Sequence, residues 1–242
     1  MGGTAARPRK RPVPNDPALY EELADEWWRP RGKFAMLHWL AAARAEMIPP
    51  APRPGAVLVD LGCGAGLLAP RLEGKGYRHI GVDRSPSAVA LAAEQGVAAV
   101  RGDVLAVPLA DGCADVVAAG EILEHVPDLP LAVSEACRLL RPGGLVVIDT
   151  LADTLLCRLI AIGVAERLRG LAPRGVHDPD LLVDRDELVA ECAGHGVELE
   201  LRGIRPSIVD FAAWLAGRRP AVRMLGAPTT AVLFQAWGRK LP

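Results

Sequence analysis

The sequence Val57–Gly66, VLVDLGCGAG, joins a short apolar run to an acidic residue and then to three glycines at alternate positions. The run is β-branched and follows a Pro-Gly pair, which favours a buried strand of a parallel sheet over the start of a helix. The glycines allow a sharp turn and leave no Cβ between the main chain and a ligand. Residues 67–72 read as the start of a helix whose free N–H groups face the loop. The stretch therefore predicts a strand, a loop and a helix that together bind a nucleotide-type ligand.

This loop is a poor match to the dinucleotide-binding fingerprint. In the pattern G-x-G-x-x-G begun at Gly62, Leu67 stands where the last glycine should be. The carboxylate of Asp60, two residues before the first glycine, would repel a pyrophosphate and attract an ammonium group. The residues therefore favour a nucleotide ligand with a cationic amino-acid part over NAD.

Composition narrows the class of protein. The chain has 242 residues, of which 50% are hydrophobic, so it can bury one large core, and we expect one α/β domain with an extra segment. Its 28 basic and 29 acidic residues leave a formal charge of −1, which does not indicate a nucleic-acid partner. Five scattered cysteines without a C-x-x-C pair indicate neither a disulfide framework nor a zinc site. A reducing, cytoplasmic setting fits these features best.

The N-terminal part divides into a tail and a helical lead. Residues 1–14 are basic and no apolar core follows them, so we expect a disordered tail and not a secretory signal. Residues 15–54 form the predicted lead, with helices over 17–28 and 34–47. Its aromatic side chains either staple these helices to the sheet or form a lid over the substrate. Under the lid hypothesis, Trp28 and His38 are candidate substrate contacts.

Acidic residues end successive predicted strands. Asp83 ends a strand that begins at residue 80, where its carboxylate can accept hydrogen bonds from both hydroxyls of a ribose. Asp103 ends the next strand and can accept from an adenine amino group, with Val104 against the ring. Each acid alone could cap a turn instead. Together with Asp60, however, they end three neighbouring strands, which indicates one shared ligand site.

The loop after the fourth predicted strand carries the candidate chemistry. Glu121, Glu124 and His125 lie within five residues after the strand at 114–119, at spacings that place them on one face of a helical turn. Two carboxylates and an imidazole could hold a divalent cation. Alternatively, His125 could act as a general base on a phenol, or it could simply pack against the sheet at the start of a helix.

The ordered set of motifs over residues 57–149, which ends in RPGG before the fifth strand, resembles the class I S-adenosylmethionine-dependent methyltransferases. Further motifs are similar to those of the O-methyltransferases of ubiquinone biosynthesis, which methylate polyprenylated catechols. These motifs are WW at 27–28, F-x-x-L-H at 34–38, EILEHVPD at 121–128 and GVHD at 175–178. The resemblance implies a Rossmann-like, seven-stranded, mostly parallel α/β sheet with helices on both faces. Its last two strands are expected near 197–201 and 231–238.

The resemblance also implies an activity, which is methyl transfer from S-adenosylmethionine to a hydroxyl of a small, catechol-like aromatic. Glu121, Glu124 and His125 match an E-x-x-E-H element associated with a divalent metal such as magnesium. His177, with Asp178, could contact the substrate or merely cap a helix that begins at Pro179. Residues 211–225 depart from the family, so the acceptor could be another phenol or an amine, and a non-catalytic S-adenosylmethionine-binding protein is the alternative from another class. The expected cofactor contacts are Asp60, Gly62, Cys63, Gly64, Gly66, Asp83, Arg84, Asp103, Val104 and Glu121.

The domain that we expect over 55–242 contains an insertion, residues 153–180. Within it, 154–174 is apolar but interrupted by arginines, and it is too short and too charged to span a bilayer. It could lie on a membrane surface, as in the similar enzymes, or cover the substrate pocket, or be an ordinary core helix. The sequence does not indicate an oligomeric state.

Overall fold

The computed structural model describes residues 17–163, 173 and 175–242, and within them a mixed sheet of eight strands. The strands follow the spatial order β3-β2-β1-β4-β5-β8-β6-β7. Strands β1 to β5 are parallel, whereas β8 runs antiparallel to both β5 and β6, and β7 runs antiparallel to β6. The strand bounds are β1 Val57–Leu61, β2 Arg78–Asp83, β3 Ala98–Arg101, β4 Ala114–Gly120, β5 Leu140–Leu151, β6 Glu200–Pro206, β7 Met224–Ala227 and β8 Leu233–Arg239.

Helices cover both faces of this sheet. Leu58 of β1 packs in one core cluster with α2 and α3, while its neighbour Val59 packs in another with α5 and α7. Because successive side chains of a strand point to opposite faces, a strand buried on both sides reads as a continuous apolar run. The helix bounds are α1 Pro17–Glu22, α2 Ala35–Met47, α3 Ala69–Leu72, α4 Pro86–Glu94, α5 Leu129–Leu139, α6 Leu155–Cys157, α7 Arg185–Gly194 and α8 Ile208–Leu215.

The predicted fold class is confirmed, with one more strand than expected. The additional strand is β7, which follows α8 and pairs antiparallel with β6 at the edge of the sheet. Its sequence, MLGA, lacks the β-branched or alternating pattern that indicates a strand, so pairing with β6 and not local propensity places it there. The strand expected at 197–201 also begins later, at Glu200.

The lead packs onto the sheet and onto the glycine loop. Its predicted second helix is α2, with Phe34 as the residue before the first turn. The first is shorter than predicted: α1 ends at Glu22 and a 3-10 turn, Ala24–Glu26, follows. The division of the chain at residue 54 stays a prediction.

The insertion begins with α6 and one π-helical turn, Arg158–Ile162. The rest of the segment expected to contact a membrane or cover the pocket, 164–172 and 174, lies outside the described residues, as does the tail expected at 1–14. Among the helices that the structure describes, none is long and apolar enough to cross a bilayer.

Candidate active site

A cavity of about 600 Å³ lies at the carboxyl ends of the parallel strands. This edge is where open α/β sheets bind their ligands, because the loops after the strands diverge there. The lining includes most of the residues predicted for the site, while Gly66, Glu124, Trp28 and His38 are not part of it. The predicted residues that line it are Asp60, Gly62, Cys63, Gly64, Asp83, Arg84, Asp103, Val104, Glu121, His125 and His177.

The glycine loop forms one side of the cavity. Gly62, Gly64 and Gly66 have φ values of 66°, 51° and 79°, a region that other residues rarely adopt. A Cβ at Gly64 would also lie 2.8 Å from the ring of Trp27. Gly66 faces helix α4 instead of the cavity, since a Cβ there would lie 3.0 Å from the main chain of Ala92. The first two glycines therefore shape the cavity wall, and the third allows close packing of α4.

Asp83 links the glycine loop to the end of β2. Its Oδ2 accepts a hydrogen bond from the Gly64 N–H at 2.8 Å, and its Oδ1 accepts from the Ser85 N–H at 2.9 Å. Burial nevertheless raises the pKa of Asp83 above its ordinary value. Each carboxylate oxygen keeps a second lone pair, so both can still accept from a ligand hydroxyl. The geometry is thus compatible with the predicted ribose contact.

Asp103 caps a turn, which was the alternative interpretation of the acids at the strand ends. Its Oδ1 accepts from the Leu105 N–H at 3.0 Å and closes that turn. It also lines the cavity beside Val104, so the turn and a ligand contact do not exclude each other. Asp60 is buried beneath the loop, where its Oδ2 lies 3.4 Å from Nε2 of His79. These two acids and Asp83 together define what we call the cofactor edge of the cavity.

Glu121 is held in an unusual backbone conformation. With a φ of 52°, it is the one non-glycine residue in the left-handed region within the described ranges. Such a conformation costs of order ~1–3 kcal/mol and persists where the surroundings enforce it, often at functional sites. Here the Glu121 N–H donates to the main-chain oxygen of Asp149 at 2.8 Å. The buried Oε1 of Glu121 has no hydrogen-bond partner among the residues that the structure describes.

Glu124 lies directly behind Glu121. It is fully buried, its Oε2 accepts from the Thr150 hydroxyl at 2.7 Å, and its Oε1 has no partner in the described part of the chain. Burial raises the pKa of Glu124 to about 7. Burial, and then the charge of Glu124, also raise the pKa of Glu121 well above its ordinary value. The two carboxyls therefore form a pair that can accept a proton near neutral pH.

His125 is less suited to be the base. Its ring stacks on that of His177 with centroids 5.7 Å apart and meets the edge of Tyr20 at 6.3 Å. Burial, with a smaller contribution from His177, lowers the pKa of His125 to about 3. A neutral imidazole with so low a pKa takes a proton poorly from a phenol, whose pKa is about 10. The geometry therefore favours the two carboxyls over His125 as proton acceptors.

Comparison with known proteins identifies the family. A family model described as a methyltransferase domain matches residues 59–148. A ubiquinone biosynthesis O-methyltransferase of Cupriavidus pinatubonensis is 36% identical over 201 residues, which cover 79% of this chain and 80% of the relative. The enzyme of the same name from Nitrosococcus oceani is 37% identical over 196 residues, with 77% and 83% covered. The chain belongs to this family. It is an S-adenosylmethionine-dependent methyltransferase.

Solved structures support the fold. A crystal structure of an S-adenosylmethionine-dependent methyltransferase from Thermotoga maritima superposes with a TM-score of 0.63, covering 92% of this chain and 98% of that one. Its sequence identity is 19%, so this similarity concerns the fold alone.

Two predicted substrate contacts of the methyltransferase, Trp28 and His38, do not line the cavity and contact other residues of the lead. His38 donates from Nε2 to the main-chain oxygen of Trp27 at 2.7 Å, and its ring faces Trp28 edge-on at 5.7 Å. The residue that reaches the cavity is Trp27, which stacks on Phe34 with centroids 4.3 Å apart and covers Gly64. Tyr20 stacks on both rings and lines the cavity. The aromatic side chains of the lead therefore both hold the lead in place and cover the cavity.

An ion pair beneath the site was not predicted. Arg44 of α2 donates to both carboxylate oxygens of Asp149, at 2.6 and 2.7 Å, and both side chains are buried. A Cβ at Gly120 would lie 1.7 Å from Cζ of Arg44, so only glycine fits before Glu121. Asp149 was detectable as a fourth acid near a strand end, but nothing in the sequence distinguishes Arg44 from other helical arginines.

The predicted three-ligand metal site is not assembled. Within the described ranges, no three His, Cys, Asp or Glu side chains are placed to hold one metal ion. Two of the expected ligands still suit a cation chemically, because Glu121 and Glu124 each present a buried oxygen without a hydrogen-bond partner. His125 stacks on His177 and does not complete the set.

The far end of the cavity is apolar. It is formed by residues of the lead, the insertion and the β6–β7 region, and we refer to it as the apolar end. His177 lines the cavity next to His125, while the next residue, Asp178, caps a 3-10 turn by accepting from the Asp180 N–H at 3.0 Å. The residues that form the apolar end include Met36, Leu37, Leu156, Ile160, Ile204 and Leu233.

Proposed function

We propose that the enzyme methylates a phenolic hydroxyl of a catechol-like quinone precursor that carries an apolar tail. The observation that carries this proposal is the layout of one continuous cavity, with acidic strand ends at one side, a buried carboxyl pair next to them and an apolar end beyond. The printed names of the relatives, which place them in ubiquinone biosynthesis, agree with such an acceptor.

In this proposal the cofactor lies along the cofactor edge. Asp60 and the glycine loop hold the methionine part, Asp83 accepts from the ribose hydroxyls, and Asp103 accepts from the adenine amino group. The ammonium and sulfonium charges of the cofactor suit a wall rich in carboxylates. Trp27 and Tyr20 cover this side and exclude water, which strengthens the electrostatic interactions inside.

The reaction is one in-line displacement. The acceptor oxygen bonds to the methyl carbon as the bond from that carbon to sulfur breaks, which leaves S-adenosylhomocysteine. The phenolic proton passes to the carboxyl pair of Glu121 and Glu124, of which Glu121 lines the cavity. Holding the two reactants in one cavity supplies much of the acceleration, because a bimolecular step becomes effectively unimolecular.

A divalent metal such as magnesium is a separate part of the proposal. Glu121 and Glu124 would hold it through their unpartnered oxygens, and the bound metal would supply a Lewis acid that lowers the pKa of a catechol hydroxyl. We expect EDTA to lower turnover about tenfold or more and Mg²⁺ to restore it. Calorimetry should show Mg²⁺ binding that Glu121→Gln weakens. If neither effect is seen, the metal part of the proposal is wrong, whereas the proposed methyl transfer is unaffected.

We further propose that the insertion contacts a membrane surface through residues 154–174 and that the enzyme acts in the cytoplasm. In its described part, Leu155 and Leu159 are 81% and 68% exposed. Between them Leu156 lines the cavity, so this segment meets both the surface and the apolar end. All five cysteines are free thiols, which suits a reducing compartment.

The test is a turnover assay with S-adenosylmethionine and two catechols, one short and one with a prenyl tail. We expect methylation of both and a lower KM for the tailed one. Binding of S-adenosylhomocysteine without turnover of any catechol, phenol or amine would contradict catalysis and favour a binding protein. Turnover of an amine but of no phenol would contradict the acceptor alone.

A further inference from the structure

Helix α8 presents aliphatic side chains to solvent although its other face is firmly anchored. Trp214 is buried, stacks on Phe211 with centroids 5.9 Å apart, and meets Trp39 of α2 edge-on at 5.2 Å. On the outer face, Ile208 and Val209 are 74% and 78% exposed. Because the indole cluster fixes the helix, these two side chains stay exposed. Leu215 of the same helix and Leu225 of β7 are exposed as well, at 55% and 38%, and a group of exposed apolar side chains marks an interaction surface, whereas a single one does not.

The surroundings of α8 are basic, in contrast to the chain as a whole. Residues 202–225 contain five arginines and one acidic residue, Asp210. Asp210 is buried and paired with Arg219 at 3.0 Å and Arg223 at 2.6 Å, so its carboxylate does not reach the surface. Arg205 and Arg218 are exposed as well. The exposed aliphatic groups are thus flanked by guanidinium groups.

This surface is continuous with the apolar end of the cavity. Ile204 and Arg205, just before α8, line the cavity, as does Ala227 at the end of β7. Ile204 also shares a core cluster with Cys157 and Ala161 of the insertion. The residues just before α8 therefore pack against the first residues of the insertion, and both groups lie beside the same cavity.

We propose that the α8 surface, meaning Ile208, Val209, Leu215, Leu225 and the exposed Arg205 and Arg218, docks on a bilayer that contains anionic lipids. Protruding aliphatic groups enter the acyl boundary while arginines meet headgroup phosphates, a combination that favours such a membrane. The cores of protein–protein interfaces are enriched in aromatic side chains and Met, whereas the large exposed apolar side chains of this surface are all aliphatic. The proposal concerns a surface outside the insertion and holds whatever acceptor the enzyme methylates.

The experiment is cosedimentation of the full chain with vesicles of phosphatidylcholine alone or mixed with phosphatidylglycerol. We expect binding to the mixed vesicles that weakens with salt. Ile208→Asp combined with Val209→Asp should weaken it about a hundredfold, because two aliphatic groups leave the bilayer. Arg218→Gln should weaken it about fivefold. The matched control is Leu241→Asp, an exposed leucine beyond the opposite end of β8, which should bind as the parent does.

Calorimetric binding of S-adenosylhomocysteine and a thermal melt show that each variant is folded. The proposal is overturned if the parent binds neither vesicle, if it binds both equally, or if the α8 double variant binds like the parent. It is also overturned if only Leu155→Asp with Leu159→Asp abolishes binding, which would assign the membrane contact to the insertion alone. A dimer that the α8 variant dissociates, without vesicle binding, would assign the surface to a second copy.

Discussion

At the cofactor edge, each acid follows directly from its own strand, and main-chain N–H groups hold Asp83 and Asp103 in place. At the apolar end, the walls come from the lead, the insertion and the β6–β7 region, which are far apart along the chain. Substitutions at the cofactor edge should therefore act on S-adenosylhomocysteine binding, and substitutions at the apolar end on the acceptor. The carboxyl pair lies between the two and should affect the chemical step alone.

The largest effect is expected for Glu121→Gln, which removes the carboxylate that lines the cavity. We expect kcat to fall by about 10²–10⁴-fold, the range for loss of general-base catalysis, with S-adenosylhomocysteine binding changed little. Rates are measured at saturating cofactor, and Glu46→Gln, an exposed glutamate on α2, is the matched control. An unchanged kcat would contradict the assignment of the proton acceptor.

Asp83→Ala should give the next largest effect, confined to the cofactor edge. The variant loses the proposed ribose contacts and also frees the N–H groups of Gly64 and Ser85. Since a hydrogen bond to a charged group contributes about 1.5–3 kcal/mol, S-adenosylhomocysteine should bind about 10²–10³-fold more weakly. Calorimetry tests this, with Asp111→Ala, an exposed acid paired with Arg138, as the control. Equal affinities would show that Asp83 only shapes the loop.

Leu156→Ser with Ile160→Ser should affect the apolar end alone. Each change removes apolar surface worth about 1.5–3 kcal/mol if a tail covers it, so the KM of a tailed catechol should rise about tenfold or more. The KM of a short catechol and the affinity for S-adenosylhomocysteine should stay as in the parent. A parallel rise for both catechols would mean that these residues contact the ring and not the tail.

The smallest change is expected from pH. Because the pKa of Glu124 is about 7 in the folded chain, kcat/KM should rise with pH up to that value and then level off. The stability contribution has the opposite direction: folding raises this pKa, so the stabilisation is complete below the unfolded value and is lost as pH rises through 7. Glu124→Gln should flatten both curves, measured as initial rates and as denaturant midpoints. A pH-rate profile that keeps its shape in the variant would remove Glu124 from the proton path.

Where prediction succeeded, the physical cause was local. The three glycines and the acids at positions 60, 83 and 103 lie at or just after the ends of predicted strands, and the carboxyl ends of parallel strands share one edge of the sheet. Ser85 also acts locally, because its side chain accepts from the Ala88 N–H at 3.1 Å and caps α4. The cap depends on residues within one helical turn, whereas the contact of Asp83 with the Gly64 N–H joins two strand ends that are 19 residues apart.

Where the structure differs from what the sequence led us to expect, contacts with residues distant along the chain are the cause. In the sequence, Trp27, Trp28 and His38 are equally suited to form a lid. In the structure, Trp27 packs against Gly64, whereas His38 hydrogen-bonds to the main chain of the lead. His125 has an ordinary imidazole in sequence, but burial against His177 leaves it a poor base. Strand β7 forms because its main chain pairs with the edge of β6.

The linear order of residues was thus sufficient for the parallel part of the sheet and the glycine loop, because these follow from local turns and from strand ends that must meet. The motifs over residues 57–149 indicated S-adenosylmethionine through their resemblance to a family. Tertiary packing alone decided the ion pair of Arg44 with Asp149, which are 105 residues apart, and the strained backbone of Glu121 above it. It also decided the pKa values of Glu121 and Glu124. The reason is that burial and long-range charge act through space, and no spacing along the chain encodes them.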